Sequence, residues 1–437
     1  DGQPVTADDV VFTINDAIKN PLWRSPLSAD FQAVEVIRVD ESTVQFKHPE
    51  MLSAAAWQRL LSVGILPAHR WESANEGSPQ LAEANLKPIG SGPYRFSTFT
   101  RDSKGLILAY SLTRFTGYYG TQPYLDERVF RFYPDRSAAN AALESKQIDA
   151  LAFVSWNDEE RLRITDSRSL SLELPQVATV FLNTQDAALK DLAVRQALQL
   201  TIDRGELIQA LGHGVALQSP FPFFESYSTS SQLTSIETAR RLLDEARWNT
   251  HPTDGLRYLQ PLTSTRTPRA ATSTTSFVTS TPLAITLLVP DQSDLASLAE
   301  MIQRRWSLIG VQVTLETMDR AAILRRSLTE RTHQAILINA FSPTDADILP
   351  FWEANGPLNF SQWSSPTLTA ALQEIGTASS TGAVQIARTK AAEVLSTYVP
   401  ALFFLRPSHA YVVPNDLQGV QNLQLQDPAQ RLTETLG

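Results

Sequence analysis

The sequence predicts a mixed α/β protein of two or three domains, and three observations lead to that prediction. Its 437 residues exceed what one compact core supports. Short apolar runs that suit buried strands alternate along the chain with segments of helical periodicity. The stretch 126–153 places a strand on each side of a helix, "ERVFRFYP" before it and "QIDALAF" after it. That order predicts a β-α-β unit, and with it a mixed or parallel sheet.

The N-terminal stretch "DGQPVTADDVVFT" predicts the start of a helix that continues to Asn20. Adjacent acids such as Asp8 and Asp9 can also form an acid–base pair or half of a metal site. Thr6 followed three residues later by Asp9 is, however, the pattern of a capping box, and Asp8 adds negative charge at the positive end of the helix. The apolar face is formed by Val10, Ile14, Ala17 and Ile18.

The first half of the chain then predicts a hairpin, several strands and amphipathic helices. "FQAVEVIRVDESTVQFKHPE" alternates apolar and polar residues around the turn residues Asp40 and Glu41, which indicates a β-hairpin. "PIGSGPYRFSTFT" (88–100), "SKGLILAYSLTRF" and "TVFLNTQ" (179–185) are typical of strands. One helix is predicted after the last of these, a second from Asp203 to Gly212, and a third in "SIETARRLLDEARW".

The second half continues this alternation in an α/β block from about 183 to about 400. "LAITLLVP" (283–290) predicts a buried strand, and the helix predicted at 294–309 has an apolar stripe that includes Trp306, with Gly310 as its C-cap. Strands are predicted in "VQVTLETM", "HQAILINAF" and "ALFFLRPSHAYVV". Residues 260–282 are dominated by Ser, Thr, Pro and Arg, which predicts a low-complexity loop inside the block.

Composition and motifs argue against several classes of function. A net charge of −9 disfavours nucleic-acid binding, and the absence of cysteine removes disulfides and thiolate chemistry. No apolar run reaches the roughly 18 residues of a membrane helix. The phosphate-binding, dinucleotide-binding, zinc-protease and serine-hydrolase motifs are missing, and the six histidines are scattered. We therefore predict no catalytic residue, no metal site and no cofactor, with His69 packing locally.

Five stretches occur in an order that resembles the family 5 extracellular solute-binding proteins, the dipeptide, oligopeptide and nickel binders of ABC importers. They are "DGQPVTADDVVFT", "PIGSGPYRF", "YYGTQPYLDERVFRFYPD", "VFLNTQ…VRQALQLTIDRGELI" and "AEMIQRRWSLIGVQV". The resemblance implies a periplasmic-binding-protein-like type II fold, in which two α/β lobes close around a ligand. Two hinge strands join the lobes, and a small extra subdomain lies beside the first.

The resemblance also implies a division of the chain. We expect a first lobe with the extra subdomain at 1–180, a second lobe at 181–402 and a return to the first lobe at 403–437. Because family members usually carry further strands before the first of these motifs, which here begins at residue 1, the N-terminal part of the first lobe is expected to be absent.

The stretch "INAFSPTDADILPFW" (338–352) corresponds to the family segment W-x-A-D-Y-x-D-P, whose first Asp pairs with a peptide's free amine. Asp345 and Asp347 match its later part, but Ser342 falls at the amine-binding position, followed by Pro343 where an aromatic is usual. A serine cannot neutralise an ammonium, so either the ligand lacks a free amine or another acid serves. An alignment offset would instead bring Asp345 into the pocket. Alternatively, both acids cap the helix predicted in "ILPFWEANG".

The candidate ligand-binding residues lie in and after this segment. Phe341 and Trp352 could stack on ligand groups, and Arg406 could meet a ligand carboxylate. The structural alternatives are a core position for Trp352 and an ion pair, at the surface or between the lobes, for Arg406. The full predicted set is Asn339, Phe341, Ser342, Asp345, Trp352 and Arg406.

The resemblance implies an extracytoplasmic protein that is not an enzyme. We expect it to capture a di- or oligopeptide and deliver it to the permease of an ABC transporter, as a monomer that does not bind nucleic acid. Contact with a membrane is expected only through a lipid anchor upstream of residue 1. An oligosaccharide or another uncharged solute is the alternative ligand. A ligand-sensing regulatory module of the same fold is the alternative role, and a hydrolase is a more distant one.

Overall fold

A computed structural model describes most of the chain. The described residues are 1–25, 27–49, 52, 57, 60–72, 78–159, 162, 166–222, 235–260, 281–343, 345–378, 380–425 and 428. The loop predicted at 260–282 therefore lies almost entirely outside the described residues.

The strands are short and spread over the whole chain. They are β1 Glu35–Arg38, β2 Val44–Lys47, β3 Tyr94–Arg101, β4 Ile107–Arg114, β5 Glu127–Arg131, β6 Leu151–Val154, β7 Ser167–Glu173, β8 Gln176–Leu182, β9 Val215–Ala216, β10 Trp248–Thr250, β11 Arg257–Leu259, β12 Ala284–Pro290, β13 Gln312–Met318, β14 Ala335–Phe341, β15 Ala401–Arg406, β16 Ser408–Pro414 and β17 Leu423–Gln424.

The longest α-helices of the described residues lie in the second half of the chain. They are α1 Ala7–Val11, α2 Ser28–Phe31, α3 Ala68–Trp71, α4 Arg136–Glu144, α5 Trp156–Glu159, α6 Leu192–Leu200, α7 Arg204–Leu211, α8 Ile236–Glu245, α9 Ser293–Ser307, α10 Arg320–Leu324, α11 Pro366–Thr377 and α12 Thr381–Tyr398. None of the helices in the described ranges is long and apolar enough to span a membrane.

A six-stranded mixed sheet organises the second half, in the order β13-β12-β14-β8-β15-β9. β12 runs parallel to β13 and β14, whereas β14 and β15 run antiparallel to β8. Since strand side chains alternate between faces, the sheet has a separate apolar core on each side. Ala178 and Val180 of β8 face the core that holds Trp306, and Val177 and Phe181 face the core that holds Trp352.

The chain passes twice between this sheet and a four-stranded sheet ordered β17-β7-β16-β6. The first crossing lies between Glu173, the end of β7, and Gln176, the start of β8. The second lies between Arg406, the end of β15, and Ser408, the start of β16. The predicted strand in "ALFFLRPSHAYVV" is thus divided at Pro407, because proline has no backbone N–H to continue a ladder.

The N-terminal part forms smaller units. β1 and β2 form the predicted antiparallel hairpin, and β3, β4 and β5 form a three-stranded sheet. The predicted first helix is α-helical only at Ala7–Val11 and continues as a π-helix at Phe12–Ile18. Asp9 is buried: one oxygen accepts the Thr6 N–H at 2.8 Å and the other accepts the Ala68 N–H at 2.8 Å. Its carboxylate therefore joins the start of α1 to the start of α3.

One prediction about strand pairing is wrong. The strands and helix predicted at 126–153 exist as β5, α4 and β6, but they do not form a β-α-β unit in one sheet. β5 pairs with β4, whereas β6 pairs with β16, where Ala410 opposes Val154. Periodicity identifies a strand and its buried face but not its partner, which here comes more than 250 residues later.

Candidate functional site

Both crossings reach the same edge of the six-stranded sheet, which we call the crossing edge and define by Gln176, Phe341 and Arg406. Phe341 at the end of β14 lies opposite Gln176, and Arg406 at the end of β15 lies opposite Val215. β12 is parallel to β14, so its carboxyl end points to this edge as well. Open α/β sheets bind ligands in the crevice outside the carboxyl ends of their strands.

One face of the crossing edge carries a small cleft with an apolar lining, which we call the apolar pocket. Ser342 and Trp352 are the predicted residues that line it. The hydroxyl of Thr179, another lining residue, donates to the Val177 carbonyl oxygen at 2.9 Å. The complete lining is Val177, Thr179, Phe181, Pro220, Ala340, Ser342, Ile348, Phe351, Trp352 and Phe403. Such a lining suits an apolar side chain rather than a charged group.

Trp352 belongs to a packed aromatic group under this pocket. Its side chain is 1% exposed, and its ring lies 5.7 Å from the Phe181 ring and 6.3 Å from the Phe403 ring. Its indole Nε1 has no hydrogen-bond partner among the described residues. Trp352 is therefore both a core residue and part of the pocket wall, which the sequence offered as alternatives.

Asp345 is engaged by an arginine within the second half of the chain. Nε of Arg388 on α12 donates to Oδ2 of Asp345 at 2.8 Å, and a second guanidinium nitrogen contacts the same oxygen. Asp345 begins a 3-10 helix at Asp345–Phe351, where the sequence predicted a helix. The ion pair joins this segment, which supplies Ile348 and Phe351 to the pocket, to α12.

Arg406 makes an ion pair between the two crossings. Its guanidinium lies 3.0 Å from the Glu173 carboxylate, and it donates to the Pro222 carbonyl oxygen at 2.9 Å. The side chains are only 11% and 22% exposed for Arg406 and Glu173. Glu173 ends β7 and Arg406 ends β15, so the contact holds together the two points where the chain changes sheet.

Asn339 and Phe341 lie on the opposite face of β14 from Ser342, because side chains alternate along a strand. Phe341 is 39% exposed at the crossing edge. Asn339 is partly buried, and its Oδ1 has no hydrogen-bond partner among the described residues. The structure thus separates the predicted set into Ser342 and Trp352 in the pocket and Asn339 and Phe341 on the other face.

Several pocket residues were missed from sequence. Thr179, Phe181 and Phe403 lie in segments identified only as buried strands, "TVFLNTQ" and "ALFFLRP". Their shared position depends on the pairing of β8 with β15, strands separated by more than 200 residues. Within the described parts of the chain, no group of three His, Asp or Glu side chains is arranged to hold a metal ion. The ring of His69 contacts the carboxylate of Asp1, with 2.7 Å between Nε2 and Oδ2.

Comparison with known proteins gives a consistent result. The family model described as "Bacterial extracellular solute-binding proteins, family 5 Middle" matches residues 1–359. A dipeptide-binding protein of Escherichia coli is 27% identical over 313 residues, which are 70% of this chain and 52% of that protein. A putative ABC transporter peptide-binding protein of Brucella ovis is 30% identical over 261 residues, 57% of this chain and 47% of that protein. The chain thus spans about half the length of these curated relatives.

A solved structure shares the fold along nearly the whole chain. The ABC transporter substrate-binding protein CtaP of Listeria monocytogenes has a TM-score of 0.79 and 22% identity, covering 98% of this chain and 83% of that one. The fold is therefore the type II periplasmic-binding-protein fold, as the sequence predicted.

Proposed function

We propose that this chain, which belongs to the bacterial extracellular solute-binding proteins of family 5, captures a di- or oligopeptide outside the cytoplasm and delivers it to an ABC importer. The single observation that carries the proposal is the apolar pocket at the crossing edge, where ligands bind in open α/β sheets. The names of the relatives, which are dipeptide- and peptide-binding proteins, support the same ligand class. The site is proposed for binding and delivery rather than for catalysis.

The proposed mechanism is closure of two lobes about the crossings. We place the lobe limits at the crossings, a few residues from the expected limits at 181 and 402: the first lobe comprises 1–173 together with 408–437, and the second comprises 176–406. The crossings at 173–176 and 406–408 would act as the hinge strands, because within the described residues the chain passes between the two larger sheets at these two places. A ligand that contacts both lobes stabilises the closed arrangement by its differential affinity for that state.

A thermal-shift screen with peptides, sugars and metal chelates tests this function. A bound peptide at 100 times its Kd should add ~2.7 kcal/mol to the stability of the folded protein. Ala340→Leu should fill the apolar pocket and remove that shift. Ala284→Leu is the matched control, because Ala284 is also a partly buried strand alanine but lies at the other end of β12 from the crossing edge. Shifts with none of the compounds would contradict the proposal.

An uncharged solute such as an oligosaccharide is the second candidate ligand. Ser342 supports it, because the pocket wall has a hydroxyl where the family's peptide binders carry an amine-binding carboxylate. Thermal shifts with sugars and none with peptides would favour this alternative.

A further inference from the structure

The face of the crossing edge opposite the apolar pocket holds a group of polar side chains, which we call the polar cluster and define as His213, Asp294, Asn339 and His409. Each has at least one buried polar atom without a hydrogen-bond partner among the described residues. These atoms are both ring nitrogens of His213, one carboxylate oxygen of Asp294, the amide oxygen of Asn339 and Nδ1 of His409. An unsatisfied buried polar atom costs about 1–3 kcal/mol, so a concentration of them indicates a binding site.

Strand register and loop packing bring these residues to one place. Asn339 lies opposite Ala178, and Ala178 lies opposite Leu405, so the three share one face. The loop that carries His213 packs on that face, because a Cβ on the next residue, Gly214, would lie 2.9 Å from a Leu405 methyl carbon. His213 itself is only 8% exposed.

Asp294 reaches the same place from the first turn of α9. α7 and α9 pack side by side, with Glu206 at the start of α7 contacting Arg305 at the end of α9. The end of α7, from which His213 is separated only by Gly212, therefore lies beside the start of α9. The charge of Asp294 accordingly acts on His213 and raises its pKa, against a larger lowering by burial.

His409 approaches from the four-stranded sheet across the second crossing. Its Nε2 lies 2.9 Å from Nε2 of Gln176, which can only donate. His409 Nε2 is therefore the acceptor, and the neutral ring carries its proton on Nδ1, a donor. Burial lowers the pKa of His409 to about 4. The carboxylate of Asp294 opposes that lowering of the pKa, whereas Arg136 and His213 add to it.

The cluster has the chemistry of an ammonium site. A primary ammonium has three donors, and the cluster offers three acceptors: the Asp294 carboxylate, the Asn339 amide oxygen and a nitrogen of the neutral His213 ring. The Nδ1–H of His409 is a donor that suits a carbonyl oxygen next to the amine. An anionic group is disfavoured because Asp294 lies at the centre of the cluster's charge interactions.

We propose that the polar cluster binds the terminal ammonium group and the adjacent carbonyl of a peptide, with Asp294 as the neutralising carboxylate that Ser342 does not supply. This inference rests on the proposed function, since it assumes a peptide ligand. It divides recognition between the two faces of the crossing edge, with the amine at the polar cluster and an apolar side chain in the apolar pocket.

Isothermal titration at pH 7 with the dipeptide Ala-Leu and with N-acetyl-Ala-Leu tests the inference. The wild type should bind Ala-Leu more tightly than the acetylated form. Asp294→Asn should weaken Ala-Leu binding about 10- to 100-fold, the equivalent of a charge-assisted hydrogen bond, and leave N-acetyl-Ala-Leu unchanged. Asp291→Asn is the matched control, because Asp291 is an exposed acid at the same end of β12 and should change neither affinity.

The outcomes are distinguishable. Equal Ala-Leu binding by the wild type and Asp294→Asn overturns the ammonium site and leaves the proposed function intact. Binding of neither dipeptide form by the wild type overturns the peptide-binding function and this inference together. Because Asp294→Asn also changes the first turn of α9, Asn339→Ala provides a second variant on a strand. It should weaken Ala-Leu binding several-fold with an unchanged unfolding curve, and an unchanged affinity for Ala-Leu counts against the site.

Discussion

Breaking the ion pair between Glu173 and Arg406 tests whether the two crossings stabilise one another. The substitution Glu173→Gln keeps the size of the side chain and removes its charge. In the wild type the ions lie 3.0 Å apart. Glu173 also accepts a hydrogen bond from Gln424 at 3.2 Å, and Arg406 also donates to the Pro222 carbonyl oxygen.

The expected magnitude follows from burial. Removing one partner of a fully buried pair costs about 3–5 kcal/mol, because the other charge is left uncompensated. Here the side chains are 22% and 11% exposed, and Arg406 retains a neutral acceptor, so we expect a loss of about 2 kcal/mol. Glu245→Gln is the matched control: its pair with Arg241 is 2.7 Å long, but the side chains are 58% and 62% exposed. An exposed pair of this kind contributes below about 1 kcal/mol.

Urea unfolding followed by tryptophan fluorescence measures both variants. Glu173→Gln should lower the free energy of unfolding more than Glu245→Gln does, and should lower Tm by roughly 2 °C. Combining Glu173→Gln with Arg406→Met completes a double-mutant cycle, with an interaction energy of about 1–3 kcal/mol expected. Equal losses for Glu173→Gln and Glu245→Gln, or an interaction energy near zero, would refute the idea that the pair stabilises the crossings.

Three further predictions concern the N-terminal helix, the loop beside β15 and the buried histidine. Asp9→Ala should lower the free energy of unfolding by about 2–3 kcal/mol, because two backbone N–H groups lose their acceptor. Thr6→Ala should lower it by ~1 kcal/mol and leave ligand affinity unchanged. Urea unfolding and peptide titration compare the two variants, and equal losses of unfolding free energy would contradict the role of Asp9. Gly214→Ala should destabilise the protein more than Gly212→Ala. Both glycines have positive φ, but only at Gly214 would an added Cβ contact the backbone, 2.9 Å from the Arg406 carbonyl oxygen. Thermal unfolding measures the two losses of stability, and equal losses would contradict this prediction. The pKa of His409 is about 4 in the folded state and 6.5 in the unfolded state, so the unfolded state binds more protons between these values and stability should fall as pH drops from 6.5 to 4. That loss is at most about 3 kcal/mol relative to His409→Gln, and parallel pH profiles for the two proteins would rule it out.

Local features of this chain were predictable because their causes lie within a few residues. The limits of α7 follow from Asp203, whose side chain accepts the Glu206 N–H, and from Gly212, which adopts the left-handed conformation at the C-terminus. The core position of Trp306 followed from helical spacing, and the side chain is 0% exposed. The family was predictable for a different reason, since its stretches are contiguous in sequence and occur in a set order.

The candidate site depends on contacts that no local pattern specifies. The apolar pocket requires β8, β14 and β15 to lie side by side, although β15 comes more than 200 residues after β8. From sequence, Arg406 could meet either a ligand carboxylate or an acidic residue of the protein. The proximity of the two crossings brings the Glu173 carboxylate to 3.0 Å from its guanidinium. His213 follows the helix end predicted at Gly212, but its burial beside Asp294 arises from the packing of α7 against α9.

The sequence by itself therefore determined the class of fold, most element limits and the family of this protein, because capping, periodicity and contiguous motifs act over short distances along the chain. Only the tertiary structure decided that β5 and β6 belong to different sheets and that the chain crosses between sheets at Glu173 and Arg406. It also placed Ser342 and Asn339 on opposite faces of one edge. The physical reason is that strand pairing and burial arise between residues far apart in sequence, and a buried face is compatible with many partners.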